Sequence, residues 1–257
     1  MEGYEAFIAN VYKKTGLDLS CYKERQMKRR IESLVMRNNY NSFDTYFNGL
    51  NTNSKLFEEF INYLTINVSE FYRNPPQWEV LEKEIIPQLL KKKSKLKIWS
   101  SASSTGEEPY SLVMLMSKFM DLKDINILAT DIDKGAINKA KFGVYSAKSL
   151  EGLPAEFVSK YFDKINDSYA IKDIIKRQVN FQNLNLLEDK YPDNCDLILC
   201  RNVMIYFTEE TKNKMYCKFH QALDQDGVLF VGSTEQIILP NRYKLAPVKT
   251  FFYKKMP

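Results

Sequence analysis

Two short polar segments hold the side chains best suited to binding a small molecule. The first, SSASSTGEE, covers residues 100–108, and the second, ATDID, covers residues 129–133. Each follows directly on an apolar run of the kind that forms a buried strand. In an open α/β sheet, ligands bind beyond the carboxyl ends of the strands. These hydroxyls and carboxylates are therefore candidates for a binding site.

Asp131 is the candidate for ribose recognition. An acid at the end of the second strand of such a sheet accepts hydrogen bonds from a ribose diol. The alternative is a structural role, since aspartate is also favoured as the cap at the start of a helix. Asp133 fits the cap role better, because it lies nearer to the helical segment AINKAKF.

The turn at residues 100–108 differs from a phosphate-binding loop. It contains one glycine, Gly106, and does not match the G-x-G-x-x-G pattern of dinucleotide sites. Glu107 and Glu108 would repel a pyrophosphate at the start of the following helix. They suit a nucleoside that lacks phosphate and carries an amino group, and S-adenosylmethionine is such a ligand. The alternative is that the glutamates complement the helix dipole, which explains one of them.

Two further segments, NLNLL (183–187) and CRNVMIYF (200–207), place polar residues after apolar runs. Histidine and cysteine, the residues on which zinc sites and catalytic triads depend, are scarce in this chain. The one histidine is His220, and no two of the four cysteines have C-x-x-C spacing. No metal site and no Ser–His–Asp triad are therefore predicted. The cysteines are expected to be reduced core thiols of a cytoplasmic protein.

The elements that position these segments are strands alternating with helices. After residue 93 the apolar runs are LKIWS, INILAT, VNFQNL, DLILC, GVLFVG and TFFYK. Such runs are typical of a largely parallel sheet covered on both faces, and the last two are expected to pair antiparallel at its edge. Residues 144–178 interrupt the alternation and are interpreted as an insertion, either a small β-element or a helical excursion.

The N-terminal part is predicted to be helical, because apolar residues recur at helical spacing in YEAFIANVY, MKRRIESLV and LFEEFINYL. Pro75 and Pro76 are expected to open the next helix. Two domains follow: a helical domain over residues 1–74 and an α/β domain over residues 75–257.

The bulk composition fits a soluble globular protein of 257 residues, with 44% hydrophobic and 27% charged residues. A net charge of +5 permits an acidic partner without requiring nucleic acid. No signal-peptide pattern opens the chain, and no apolar run approaches the roughly 20 residues needed to span a bilayer. Direct membrane insertion is therefore not expected.

Taken together, these segments resemble the CheR-type chemotaxis receptor methyltransferases. The markers run in order along the chain: NVSEFYR (67–73), WSSASSTGEEPYS (99–111), ATDID, NLLE (185–188), CRNVMIYF and GVLFVGSTE (227–235). The resemblance implies a Rossmann-like S-adenosylmethionine-dependent methyltransferase domain with a small inserted β-subdomain, preceded by an all-α N-terminal domain. It also implies methylation of glutamate side chains on chemoreceptor cytoplasmic domains, with S-adenosylhomocysteine as the other product.

The resemblance carries a set of cofactor contacts to this chain: Asn67, Ser69, Arg73, Glu108, Asp131, Asn185, Leu186, Arg201 and Asn202. We assign Arg73 to holding charge near the transferring methyl group, in contact with the cofactor carboxylate or the incoming glutamate. The resemblance implies an aromatic residue near the methyl group at Tyr206, and we assign Tyr206 to the lining of the acceptor channel. The alternatives are a surface arginine before a turn and a core aromatic residue. The chain departs from the family's usual pattern at Ala102-Ser103 and at GSTE, which retains Glu235 where the family often has G-H-S-E.

A basic segment, CYKERQMKRRIESLVMRNN, is the predicted receptor-binding helix. Its candidate contacts are Lys23, Arg25, Lys28, Arg29 and Arg30. Met27, Ile31 and Leu34 share one face of this helix, while Arg25, Lys28 and Arg29 project on the opposite side. Glutamate-rich receptor helices would be steered to such a surface. The alternative is a solvated amphipathic helix.

Two other functions remain open at this point. A nucleic-acid methyltransferase would need a basic channel with stacking aromatics, but the cations cluster on one short helix. A non-catalytic module that senses S-adenosylmethionine or its product is the second, and the presence of Arg73 and Tyr206 argues against it. The protein is expected to act as a monomer.

Overall fold

The computed structural model of the protein describes residues 1–65 and 67–257. By its internal contacts the chain divides into two compact units. The first comprises Met1–Asn67 with Tyr206–Lys214, and the second comprises Val68–Ile205 with Met215–Pro257. This division falls before residue 74, and the domain boundary at that residue stays a prediction.

The first unit is helical. Its N-terminal helices are α1 (Tyr4–Thr15), α2 (Glu24–Arg37), α3 (Phe43–Thr52) and α4 (Ser54–Thr65). On α2 the apolar side chains Met27, Ile31 and Leu34 are buried, as their helical spacing predicts. The predicted helices of this region are thus confirmed.

The second unit is built on strands and helices that alternate along the chain. Its strands are β1 (Ile98–Ser100), β2 (Ile127–Asp131), β3 (Val144–Ser146), β4 (Phe162–Ile165), β5 (Ser168–Ile171), β6 (Val179–Asn183), β7 (Cys195–Cys200), β8 (Leu223–Val231), β9 (Leu245–Lys249) and β10 (Phe252–Lys255). Its helices are α5 (Pro75–Val80), α6 (Ile86–Leu90), α7 (Glu107–Met116), α8 (Lys134–Phe142), α9 (Ala155–Tyr161) and α10 (Asp173–Lys176). A last helix, α11 (Glu209–Ala222), begins in the first unit and continues into the second.

The main sheet has the strand order β6-β2-β1-β7-β8-β10-β9. Its pairs are parallel from β6 to β8 and antiparallel beyond β8, which confirms the predicted parallel sheet and the antiparallel pairing of β8 with β10. The edge strand next to β10 is β9, which the sequence pattern does not predict because Pro247 interrupts it. Proline has no N–H to donate, so a sheet tolerates it on an edge strand.

The insertion at residues 144–178 is a small subdomain. Strands β3, β5 and β4 form an antiparallel three-stranded sheet, and the short helices α9 and α10 accompany them. The segment therefore contains both of the structures that the sequence left open. The predicted fold class, with its inserted β-subdomain, is confirmed.

Candidate functional site

The turn between β1 and α7 lies where the strand order of the main sheet reverses, with β2 on one side of β1 and β7 on the other. Ser101 donates its N–H to the Leu199 carbonyl at 2.8 Å, and Ser103 donates its N–H to the Thr130 carbonyl at 2.9 Å. The carboxyl ends of β1, β2 and β7 therefore meet at one place. This is the position at which an α/β sheet binds its ligand.

Gly106 is the residue that lets this turn pack closely. Its φ angle is 96°, and a Cβ built on it would come within 2.8 Å of the Ala140 Cβ. Only glycine adopts that conformation readily and fits that space. Pro109 follows in the first turn of α7, where an N–H is not needed. The turn is thus fixed between a buried strand and a buried helix.

Asp131 ends β2 with its carboxylate against the turn. Its Oδ2 accepts the Ser104 N–H at 2.7 Å, and its Oδ1 accepts the Asp133 N–H at 2.9 Å. Burial raises the pKa of Asp131 to about 6. Asp133 caps α8 by accepting the N–H groups of Gly135 and Ala136. The cap therefore belongs to Asp133, and Asp131 is left with another role.

Glu108 and Arg201 form a buried ion pair, with 3.3 Å between Oε2 and Nη1. The Ser100 hydroxyl donates to Oε1 of Glu108 at 2.8 Å. Burial raises the pKa of Glu108 and lowers that of Arg201, while the charge of each partner opposes the shift of the other. The pair places an acid and a base side by side at the β1–α7 turn.

The Arg201 guanidinium also holds the segment that leads into α5. Its Nη2 donates to the Arg73 carbonyl at 2.7 Å and to Gln77 Oε1 at 3.0 Å. The group lies 4.6 Å from the centre of the Phe230 ring. Its Nε is buried and has no hydrogen-bond partner within the described part of the chain. Arg201 therefore joins the start of α7, the segment that leads into α5 and strand β8.

The Arg73 side chain is half-buried, and its Nη1 donates to the Val68 carbonyl at 3.1 Å. Burial is the main cause that lowers the pKa of Arg201, and the positive charge of Arg73 lowers it further. Two guanidinium groups thus share this region with the carboxylates of Glu108 and Glu235. Guanidinium groups are suited to binding a further carboxylate.

Glu107 lies beside Glu108 at the first turn of α7, where the helix dipole favours an acid. It accepts a hydrogen bond from the Thr105 hydroxyl at 2.7 Å and another from the Ser69 side chain. Burial raises the pKa of Glu107. Ser69 therefore ties its segment to the start of α7.

Strand β6 ends beside β2 and brings the NLNLL segment to the same edge. The Asn183 side chain donates to the carbonyls of Asp131 and Ile132, each at 2.9 Å. Asn185 accepts an N–H from its own turn through Oδ1, and Leu186 is buried. Asn183 therefore holds the end of β6 against the end of β2. The sequence pattern predicts polar residues at this strand end but does not identify Asn183 as the one that makes this contact.

Two other contributors emerge from the structure. The Ser103 hydroxyl is buried in the β1–α7 turn and has no hydrogen-bond partner among residues 1–65 and 67–257. Glu235, after β8, accepts the backbone N–H of Asn202 at 2.6 Å. The sequence gives only a weak indication of either residue. Ser103 is one of several serines in its turn, and Glu235 is a single acid after an apolar run.

Asn67 and Tyr206 belong to the first unit, unlike the other predicted cofactor and catalytic residues. The Asn67 side chain donates to the Thr65 hydroxyl at 3.1 Å. Tyr206 accepts the Lys23 N–H through its carbonyl at 2.9 Å. The Tyr206 side chain lines a cavity of about 400 Å³ together with Tyr22, Lys23, Arg29, Arg30 and Tyr63.

The five predicted receptor-binding cations fall into two groups. Lys23, Arg29 and Arg30 line the cavity, and Arg30 has a buried Nε without a partner in the described structure. Lys28 lies 5.5 Å from the ring centre of Tyr4 and is half-buried, while Arg25 is exposed. Neither of these two lines the cavity. Lys28 therefore lies beside Tyr4 of α1, and the expectation that Arg25, Lys28 and Arg29 form one receptor-binding surface stays a prediction.

Within residues 1–65 and 67–257, no group of three or more histidine, cysteine, aspartate or glutamate side chains could hold a metal ion. None of the helices in that part of the chain is long and apolar enough to cross a membrane.

Residues 67–252 match the family described as CheR methyltransferase, SAM binding domain, and residues 2–65 match CheR methyltransferase, all-alpha domain. A chemotaxis protein methyltransferase of Listeria monocytogenes is 42% identical over 98% of this chain and 97% of its own length. Another, of Borreliella burgdorferi, is 34% identical over 92% of each chain. Among solved structures, a TehB-like SAM-dependent methyltransferase from Corynebacterium glutamicum aligns over 71% of this chain and 94% of its own, with 15% identity and a TM-score of 0.40.

Proposed function

This chain belongs to the CheR methyltransferase family, and from that premise we propose that it methylates glutamate side chains on the cytoplasmic domains of chemoreceptors. S-adenosylmethionine is the methyl donor. The proposal is carried by the acidic turn at the strand ends, in a chain that matches chemotaxis protein methyltransferases over nearly its whole length. The products are glutamyl methyl esters and S-adenosylhomocysteine. We place the reaction in the cytoplasm, carried out by a monomer.

The side chains at the strand ends fit this cofactor. Ser103 Oγ and Arg201 Nε are buried polar atoms without hydrogen-bond partners among the described residues. Buried polar groups are normally hydrogen-bonded, so a bound ligand would supply the missing partners. Asp131 suits the ribose hydroxyls, Glu108 suits the α-ammonium group, and Arg73 suits the α-carboxylate. We assign the cofactor contacts to Asn67, Ser69, Arg73, Glu108, Asp131, Asn185, Leu186, Arg201 and Asn202.

The reaction needs no general base from the protein. S-adenosylmethionine supplies a methyl group that is already activated by its bond to a sulfonium. A glutamate side chain has an ordinary pKa of about 4.3, so the acceptor oxygen is ionised near neutral pH. The single histidine, His220, contacts the Met256 carbonyl and lies on α11, not at the strand ends. The work of the protein is to align the two reactants and to exclude water.

The affinity for S-adenosylhomocysteine is expected to depend on pH through Asp131. Its pKa of about 6 lies above the ordinary value of 3.8, so the ionised carboxylate that binds the ribose is lost as the pH falls through 6. Affinity should be constant above about pH 7 and fall up to about tenfold per unit below 6. Isothermal titration from pH 5 to 8 measures this dependence.

The matched control is Asp131→Asn, which cannot titrate. This variant should bind weakly at pH 8 and lose the bend near pH 6. A bend of the same size in Asp131→Asn would assign the pH dependence to another group.

The same raised pKa implies that the ionised Asp131 destabilises the ligand-free fold at neutral pH, and that this cost is relieved as the pH falls through 6.

Receptor recognition is expected to depend on the cations of the Tyr206 cavity. Reversing Lys23 and Arg29 to glutamate should raise KM for a receptor fragment about tenfold or more at low salt, since opposite charges speed encounter and like charges oppose it. Reversing Arg25 and Lys28 on the same helix makes the same change in net charge outside the cavity. It should raise KM less. Equal effects of the two pairs would show that only net charge matters.

The acceptor group is tested by locating the methyl label on the receptor. A receptor cytoplasmic fragment is incubated with the enzyme and methyl-labelled S-adenosylmethionine, and its peptides are sequenced by mass spectrometry. Label on glutamate that is released as methanol by mild alkali is the expected result. Label that resists alkali would place the methyl group on another atom and would contradict the ester.

A further inference from the structure

Glu235 follows β8, and its buried carboxylate accepts four backbone hydrogen bonds. Oε2 accepts the N–H groups of Asn202 at 2.6 Å and Gly232 at 2.8 Å. Oε1 accepts those of Met204 at 2.6 Å and Ile205 at 3.2 Å. The residue is 5% exposed. One side chain thus ties the loop after β7 to the loop after β8.

The loop at residues 201–205 depends on this carboxylate for its conformation. Asn202 has a φ of 59°, in the left-handed region that asparagine adopts more readily than most residues other than glycine. Three N–H groups of the loop have Glu235 as acceptor, and buried N–H groups without an acceptor are strongly unfavourable. A Cβ at Gly232 would overlap the carboxylate and lie 2.9 Å from the Asn202 nitrogen, so the two loops meet backbone to backbone.

The same loop begins with two residues to which the proposed function assigns cofactor contacts, Arg201 and Asn202. It leaves the carboxyl end of β7, the strand that pairs with β1 and lies beside the β1–α7 turn. The Arg201 guanidinium has its own partners in Glu108 and Gln77. The backbone of Asn202 is held by Glu235.

We infer that Glu235 is a positioning residue for methyl transfer, which holds the backbone of residues 201–205 at the edge of the reaction site. This inference rests on the proposed function. Glu235 holds this backbone through both of its carboxylate oxygens, each of which accepts two N–H groups.

Glu235→Gln is the test variant, since it keeps the size of the side chain and places an amide NH2 against two N–H donors. We expect kcat to fall between about tenfold and about a hundredfold, the range that a misplaced group produces. The cofactor KM should change less, because the Arg201 guanidinium keeps its own partners. Hydrogen exchange of the backbone amides at residues 202–205 should become faster, in a measurement that needs neither cofactor nor receptor.

Asp196→Asn is the matched control at the opposite end of β7. Asp196 is also a buried acid, and it accepts the Lys97 N–H at 2.8 Å and the Lys93 ammonium at 2.7 Å. This variant should lower the thermal unfolding midpoint and leave kcat within twofold of wild type. A purely structural role for Glu235 predicts that the two variants behave alike.

Glu235→Asp carries the test if the glutamine variant does not fold. It keeps the charge but is one methylene shorter, so kcat should lie between those of wild type and Glu235→Gln. The inference is overturned if a folded Glu235 variant keeps kcat within twofold of wild type, or if kcat falls only as far as in Asp196→Asn at equal loss of stability. Absence of transfer by the wild-type enzyme would contradict the proposed function instead.

Discussion

Arg201→Ala should destabilise the second unit by about 3–5 kcal/mol, because it leaves the buried Glu108 carboxylate without its cation. The variant also releases the Arg73 carbonyl and Gln77, to which the guanidinium donates. Affinity for S-adenosylhomocysteine should fall by more than about a hundredfold, since the loss removes a charged donor and loosens the segment that carries Arg73. Thermal unfolding and isothermal titration measure the two effects.

A double variant separates stability from binding. Glu108→Gln combined with Arg201→Met removes both charges of the pair, so no buried charge is left without its partner. The double variant should therefore unfold at a higher temperature than Arg201→Ala while still binding the product poorly. Arg201→Ala with the unfolding midpoint and the product affinity of wild type would show that the ion pair has neither role.

Arg73→Ala should lower kcat/KM for methyl transfer by about a hundredfold, because loss of its contact with the cofactor α-carboxylate would misplace the methyl group. Its Nη1 donates to the Val68 carbonyl, and the side chain is half-buried. The fold should therefore survive the change. Steady-state kinetics with a receptor fragment, together with titration of S-adenosylhomocysteine, give the rate and the affinity.

Two controls bracket this result. Arg73→Lys keeps the charge but lacks the planar fork of donors, so it should recover only part of the activity. Arg177→Ala removes an exposed arginine after α10 and should leave both quantities within twofold of wild type. If Arg73→Ala also stayed within twofold in both rate and affinity, Arg73 would have no part in the site.

The fold could be predicted largely because each buried strand of the main sheet is a short, nearly continuous apolar run. DLILC is one example, and every residue of β7 is buried. The edge strand β9 escaped prediction because its pairing is decided by the neighbouring β10, while Pro247 gives a local signal against a strand. The insertion stayed ambiguous because its strands are only three or four residues long and leave many side chains exposed.

The candidate site could be predicted in part, because acids and amides after apolar runs mark the ends of parallel strands. Asp131 and Glu108 were accessible to that reasoning. The partners of Arg201 were not, since Gln77 lies far from it in the sequence and only the fold brings the two together at 3.0 Å. The four hydrogen bonds of Glu235 depend on backbone N–H groups, which leave no mark on residue type.

The basic helix shows the same limit. Helical spacing assigns Met27, Ile31 and Leu34 correctly to the core side of α2, but it treats the opposite side as uniformly exposed. Contacts with neighbouring helices separate the cations: Lys28 lies over the ring of Tyr4 on α1, and Arg30 lies over the ring of Tyr63 on α4. Contacts between helices, which periodicity does not encode, decide which cations line the cavity.

The central claim is that this chain binds S-adenosylmethionine and transfers its methyl group to a receptor glutamate. A single-turnover experiment tests it most directly. Enzyme loaded with methyl-labelled cofactor is mixed with an excess of a receptor cytoplasmic fragment, and the label on protein and the S-adenosylhomocysteine formed are followed together. We predict that they appear at equal rates and in equal amounts, with the label on glutamate as an alkali-labile ester. Cofactor that stays bound with its methyl group intact, or label that fails to reach the receptor, would contradict the account.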